Sequence, residues 1–344
     1  MTERNVVRKI AVAIVAANLA LAGWLAYAAW RDAAALMAVR QALFTTYTSD
    51  RNTFAVGVGE LKRAYGFKTD SSREVREFLA PLEPEIPCLR LALPDTMSDR
   101  GRATSIVRAF SKEGGPGCGD FRNLEQALIM IARDQGYGCC SDHTEVFLAL
   151  ASWYGLIARE VHKEGHSFAE YYDRQARKWV WIDPEYALMA ADAGGAYLSL
   201  MELRQHYYGG EAFRFICFGT AYHRFTHEDP RTMAYFDARE DFADIIMTLG
   251  NNVVEQDRFD RKVSFLPKPA RQLLALVSGV QPGYLMYDGP GTALAPRYRT
   301  LRTVVVTTVS AVAIADAVLL LAFVRARTRR RRESASKVGE RAIV

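Results

Sequence analysis

The sequence predicts an α+β domain flanked by two transmembrane helices, and three patterns predict it. Two long apolar runs lie near the chain ends. Helical stripes occupy the stretch after the first. Three short β runs then follow in close succession. The apolar runs are Ile10–Trp30, 21 residues, and Thr303–Val324, 22 residues. At 1.5 Å rise per residue, each spans about 30 Å of hydrocarbon as a helix.

Basic residues flank both runs: Arg4, Arg8 and Lys9 before the first, Arg325, Arg327 and Arg329 to Arg332 after the second. Lys and Arg stay on the cytoplasmic side of a membrane. This predicts an inner-membrane protein with both termini cytoplasmic and residues 31–302 periplasmic. The formal net charge of +5 divides accordingly: the tail 325–344 carries +6, residues 1–9 carry +2, and −3 remains for everything between. The basic balance therefore belongs to the ends, as an anchor against anionic lipid headgroups, and nucleic acid is not an expected partner. Ala26-Tyr27-Ala28 has the small-residue pattern of a signal-peptidase site, but the run exceeds the roughly 7–15 residues of a cleaved signal. A retained anchor is predicted.

The chain divides into a cytoplasmic leader 1–9, a membrane helix 10–30, a helical periplasmic stalk 31–99, a core 100–215, a C-terminal periplasmic region 216–302, a membrane helix 303–324 and a basic tail 325–344. In the stalk, Ala33 to Phe44 is rich in Ala and Leu, and Ser71-Ser72-Arg73-Glu74 opens a second, well-capped segment. Two helices are expected over 101–136, separated by Gly114-Gly115-Pro116-Gly117-Cys118-Gly119, and a third over Thr144 to Tyr154. Strands are expected at Ile157–His162, His166–Tyr172 and Lys178–Asp183, the last two joined by a turn over Asp173 to Arg177. Beyond 184, Tyr197–Tyr208, Phe236–Gly250 and Pro269–Val277 read as helices and Phe213–Phe218 as a strand.

Five cysteines are present. An oxidising compartment permits disulfides. With Cys140 reserved for chemistry, Cys88, Cys118, Cys139 and Cys217 allow three connectivities. Cys88 with Cys118 is the pairing favoured, and four small buried hydrophobes is the alternative.

Within 44 residues the chain places Cys140, His166 and Asp183 in that order. A thiol, an imidazole and a carboxylate are the parts of an activated sulfur nucleophile: the thiol attacks, the imidazole carries the proton, and the carboxylate fixes the ring. Cys140 lies where a Gly-rich turn meets a helix, whose N-terminal N–H groups favour thiolate and can hold an oxyanion. Gln135, five residues upstream, is a candidate side-chain donor to that oxyanion. Strand alternation puts His166, Phe168 and Glu170 on one face, and Trp179, Trp181 and Asp183 on one face of the next strand. Pairing of the two strands would bring His166 to Asp183. Cys139, Cys140, His143 and His162 do not have a zinc spacing, no phosphate loop is present, and no cofactor is called for. Trp179 and Trp181 fit either an acyl-acceptor groove or hairpin packing.

Four segments together resemble the transglutaminase-like superfamily. Cys140-Ser141-Asp142 is similar to its Cys-x-Asp at a helix start. Gly155-Leu156-Ile157-Ala158-Arg159 resembles its Gly-Ile-Pro-Ala-Arg segment, His166-Ser167-Phe168-Ala169-Glu170 its His-Ala-Trp-Val-Glu strand, and Trp179-Val180-Trp181-Ile182-Asp183-Pro184 its Trp-x-x-x-Asp-Pro. The resemblance implies a papain-like core with Cys140 as nucleophile, His166 as base and Asp183 as orienter. It implies thiol acyl transfer on peptide or amide bonds of the envelope, with hydrolysis favoured over crosslinking. His143 stands where the family has an aromatic and reads as a packed ring or a second base. Cys139 reads as structural. The competing reading is a non-catalytic scaffold of the same fold in an envelope or polysaccharide-export assembly. Asn18 and Asp316, each eight residues from the cytoplasmic end of its run, are predicted to hydrogen-bond between the two membrane helices, or to face partners in a membrane complex.

Overall fold

The structure is a computed structural model that describes residues 33–341 except 111–120, 122, 136–137, 164, 220–242, 267–269, 272–273 and 276–277, with scattered positions between 11 and 27. It divides into two units: Met1–Leu43 with Arg297–Val344, and Phe44–Pro296.

In the unit Phe44–Pro296, the strands in chain order are β1 (Thr45–Thr48), β2 (Lys68–Thr69), β3 (Ala158–Lys163), β4 (His166–Asp173), β5 (Lys178–Ile182), β6 (Leu188–Asp192), β7 (Phe213–Cys217), β8 (Ile246–Thr248), β9 (Gly250–Asn251) and β10 (Tyr284–Tyr287). Six of them form one mixed sheet in the order β1-β10-β8-β3-β4-β5. Only β1 and β10 run parallel; the other neighbours are antiparallel. The fold is therefore mixed α+β.

The β4–β5 hairpin follows the expected pairing. Asp173 faces Lys178 across the turn. The Asp173 side chain closes that turn by accepting from the N–H groups of Gln175 and Ala176 at 2.9 and 3.0 Å. The helix α1 (Cys140–Trp153) packs on one face of the sheet. Val146 through Ala151 are all buried, so the helix is covered nearly all round rather than along one stripe. Ala158, Ala169, Tyr171, Val180 and Ile182 form its seat. Val161, Phe168, Trp179, Trp181, Met247 and Tyr287 make a second core on the opposite face. Trp179 and Trp181 are 1% and 0% exposed, which places them in hairpin packing rather than a groove. Gly155 turns the chain from α1 into β3 at φ +73°, a backbone state that favours glycine.

Several elements differ from their sequence reading. Thr45–Thr48, expected as part of a helical stalk, is a strand beside β10, so the segment before residue 100 completes the main sheet. Phe236–Gly250 was expected to be helical. Its described part holds β8, which sits between β10 and β3. Residues 243–250 are buried throughout, and a short apolar run buried on both faces has no period that separates strand from helix. The second expected helix of 101–136 opens as a helix over Leu124–Ala127 and widens to a π-helix over Leu128–Gln135. Pro269–Val277 lies largely outside the described residues. So does Cys118, leaving Cys88 as a buried residue of the core.

The helix Val253–Lys262 is capped from a distance. Asp70 accepts from the N–H groups of Val254 and Glu255 at 2.9 and 3.0 Å. Burial outweighs those two bonds and raises the carboxyl to about 6. The folded chain then holds this proton longer than the unfolded chain does. Stability should fall as pH rises from about 4 to 6 and stay level above. Urea denaturation across that range should show a flatter profile for Asp70→Asn. An unchanged slope would contradict the burial argument.

In the unit formed by the chain ends, the helix Leu294–Arg341 contains Leu294–Ala326, which is long and apolar enough to cross a membrane: mean hydropathy 2.4, with none of its most apolar window buried. It is one such helix among the described residues, not the two expected. The first apolar run falls mostly outside them, although the positions described there are helical. Asn18 Nδ2 donates to Asp316 Oδ1 at 2.6 Å, the expected contact between the two runs. Tyr298 also donates to Gln41 Oε1 at 2.7 Å. In hydrocarbon, an interhelical bond of this kind contributes about 0.5–1.5 kcal/mol.

Candidate active site

Cys140 is the first residue of α1, as the turn chemistry requires. Cys139 is the N-cap. Its backbone N–H donates to Asp142 Oδ2 at 2.9 Å, its thiol lies 3.3 Å from the same oxygen, and its sulfur accepts from the N–H of Asp142. Cys139 thus fills the role usually taken by Ser or Asp, which accounts for a second thiol beside Cys140. Gly138 lets the chain approach this turn: a Cβ there would lie 2.7 Å from Ile131 Cδ1.

His166 opens β4. Ala169 faces Ile182 across the hairpin. The same register carried one residue further sets Asp183 opposite Phe168, with His166 its diagonal neighbour, within reach of a long side chain. The imidazole Nε2 lies 3.1 Å from Asp183 Oδ2. The ring is 10% exposed and the carboxylate 0%. Asp183 is itself pinned: its other oxygen accepts from the N–H groups of Glu185 and Tyr186 at 2.9 and 3.1 Å. Phe168 and Tyr186 lie against the imidazole, with ring centroids 4.5 and 5.9 Å away. The sulfur of Cys140 lies within 4.8 Å of a His166 ring nitrogen. The three expected residues are therefore together.

Glu185 joins them, and sequence reasoning missed it. Its carboxyl lies within 4.8 Å of both the Cys140 sulfur and the imidazole. The signal was present in Asp183-Pro184-Glu185: an Asp that accepts from the N–H two residues on folds the chain back over itself. Burial first, then the Asp183 charge, pushes Glu185 up to about 8, so it carries its proton at neutral pH.

The sulfur differs from expectation in its protonation. Hydrogen bonding of the Cys140 S–H to Cys139, and then burial, hold the Cys140 thiol above the ordinary thiol range. The N–H of Ser167 acts in the other direction and is outweighed. The helix N-terminus does not make a resting thiolate here. His143, one turn past Cys140, is buried, 6.0 Å from Phe110 between centroids, so it is a packed ring. His162 bridges Ser167 and Thr248 at 3.0 and 3.1 Å and holds neighbouring strands together. Gln135 ends the π-helical segment, and its side chain lies outside the described residues.

No family profile, curated protein or solved structure matches the chain.

Proposed function

We propose that this protein is a membrane-anchored, transglutaminase-like cysteine enzyme with a papain-like core. It performs thiol acyl transfer on peptide or amide bonds in the bacterial periplasm, with both termini cytoplasmic. One observation carries the reading: an imidazole bonded at 3.1 Å to a fully buried carboxylate, with a cysteine sulfur within 4.8 Å of the ring. A buried acid that fixes one ring nitrogen sets the other to exchange a proton with the sulfur.

Because the surroundings keep the thiol protonated, His166 acts as a general base during attack rather than as half of a standing ion pair. It takes the proton as sulfur bonds to the carbonyl carbon. The oxyanion forms beside the N-terminal turn of α1, whose backbone N–H groups are the donors at hand. His166 returns the proton to the leaving amine or ammonia, and a thioester remains. Water then releases the acid and restores the thiol. Hydrolysis is favoured because crosslinking requires water to be excluded at the thioester stage. Envelope peptides are the reachable substrates.

The second reading is a non-catalytic scaffold in an envelope or polysaccharide-export assembly, with the pair Asn18 and Asp316 as its membrane contact. The protonated state of Cys140 favours it. Alkylation separates the two. The enzyme predicts that Cys140 reacts much faster than Cys139, that its rate keeps rising into alkaline pH, and that His166→Ala removes the advantage. Slow and equal labelling of the two thiols would leave the scaffold.

A further inference from the structure

We infer that Cys140, His166 and Glu185 form a binding site for one Zn²⁺-type cation, whose occupancy withholds the sulfur from acyl transfer. The silencing rests on the acyl-transfer reading; the site itself does not.

The donor atoms come first. A thiol sulfur, an imidazole nitrogen and a carboxylate oxygen all lie within 4.8 Å of one another. Zinc takes Cys, His and carboxylate at about 2.0–2.3 Å in tetrahedral arrangement, which spaces neighbouring donors about 3.6 Å apart. Closure of roughly 1 Å would bring this set to that spacing. Cys140 and Glu185 supply it by rotation of their side chains, while His166 stays where Asp183 and Tyr186 hold it.

The surroundings are the second observation. Histidine that ligates a metal almost always gives its other ring N–H to a carboxylate, which fixes the tautomer and raises basicity. His166 has this partner: Nε2 sits on Asp183, and Asp183 is fixed by two backbone N–H groups. The nitrogen turned to the metal would be Nδ1. The donors also select the ion. Sulfur and imidazole favour zinc or its borderline neighbours, whereas Mg²⁺ and Ca²⁺ want oxygen alone. Cys139 stays outside the set, because it caps α1 with Asp142. A cation on the Cys140 sulfur occupies the lone pair that would attack carbon, so bound metal and acyl transfer exclude each other.

Cobalt(II) is the probe, added alone to the reduced full chain in detergent. The site predicts a one-to-one complex with thiolate-to-cobalt absorption in the near ultraviolet, displaced by Zn²⁺. Cys140→Ser should abolish the band, Glu185→Ala should weaken Co²⁺ binding at least tenfold, a scale comparable to losing an outer-shell partner, and Cys139→Ser should leave it unchanged. A missing band, a band that survives Cys140→Ser, or undiminished binding in Glu185→Ala would each overturn the site. The absorption needs no turnover. A protein that binds cobalt this way but never forms an acyl-enzyme would keep the site and refute the acyl-transfer reading. If Zn²⁺ bound at the site left Cys140 open to alkylation, the silencing would be refuted and the site kept.

Discussion

Replacing Cys140 by Ala should abolish amide turnover, and His166→Ala should come close to the same level. In hydrolases of this logic, loss of the nucleophile or the base lowers kcat by roughly 10⁴–10⁶-fold, and the two losses do not add. The double variant should therefore match either single one. Asp183→Asn is the more informative change. Its carboxylate is 0% exposed, and one oxygen meets His166 at 3.1 Å while the other holds the turn at Glu185 and Tyr186. An amide in its place keeps the oxygen for the turn but presents NH₂ or a weaker acceptor to the ring, which sets the wrong tautomer. A loss of about 10²–10⁴-fold is expected, with KM little changed. The measurement is release of amine or ammonia from peptide amides by the full chain in detergent, with thioester trapping by mass spectrometry. If Cys140→Ala kept more than a tenth of the turnover, sulfur would not be the nucleophile.

Much of this site was legible because its three parts obey local rules. A cysteine after a Gly-rich turn marks a helix start. A histidine and an aspartate at equivalent ends of two alternating strands share a face if the strands pair, and a turn over Asp173 to Arg177 makes them pair. The 3.1 Å contact follows from that register. Asn18 and Asp316 were legible for another reason: each is a polar group in an apolar run, at the same depth, and polar groups in hydrocarbon seek each other.

What escaped depended on long-range contacts. Thr45–Thr48 is a strand because Tyr284–Tyr287 lies beside it, nearly 240 residues away; nothing in its neighbours announces that. β8 is covered on both faces, so its sequence has no alternation to read. Glu185 was missed because its place follows from the fold-back of the Asp183 turn, and its raised pKa from burial that a sequence does not display. The thiol of Cys140 was expected ionised from the helix N-terminus alone. Its thiol neighbour and its burial reverse that direction.

Arg159→Met should be among the most destabilising single changes in the unit Phe44–Pro296, at about 3–5 kcal/mol, because it strands a carboxylate in the core. Arg159 and Glu170 face each other across β3 and β4, 2.6 Å apart, with side chains 1% and 2% exposed. The guanidinium also donates to the Phe54 carbonyl at 2.6 Å and lies 3.9 Å from the Trp179 ring centroid. Glu170 in turn accepts from the Leu200 N–H at 2.7 Å. Each charge is thus satisfied on several sides, and burial alone draws the arginine down from its ordinary range. The resemblance offered Arg159 as part of a motif without a reason for it. The reason is that Glu170 sits on β4, the strand that begins with His166, so the pair ties that strand to β3. Urea denaturation should show Arg159→Met far below the native chain. Arg159→Met combined with Glu170→Leu should recover much of the loss, since no unpaired charge remains. The double variant should nevertheless show weaker turnover than its recovered stability suggests, because β3 would have lost the Arg159 guanidinium that lies over the Trp179 ring of β5. A single variant within 1 kcal/mol of the native chain would mean that water reaches Glu170, and that the pair does not anchor β4.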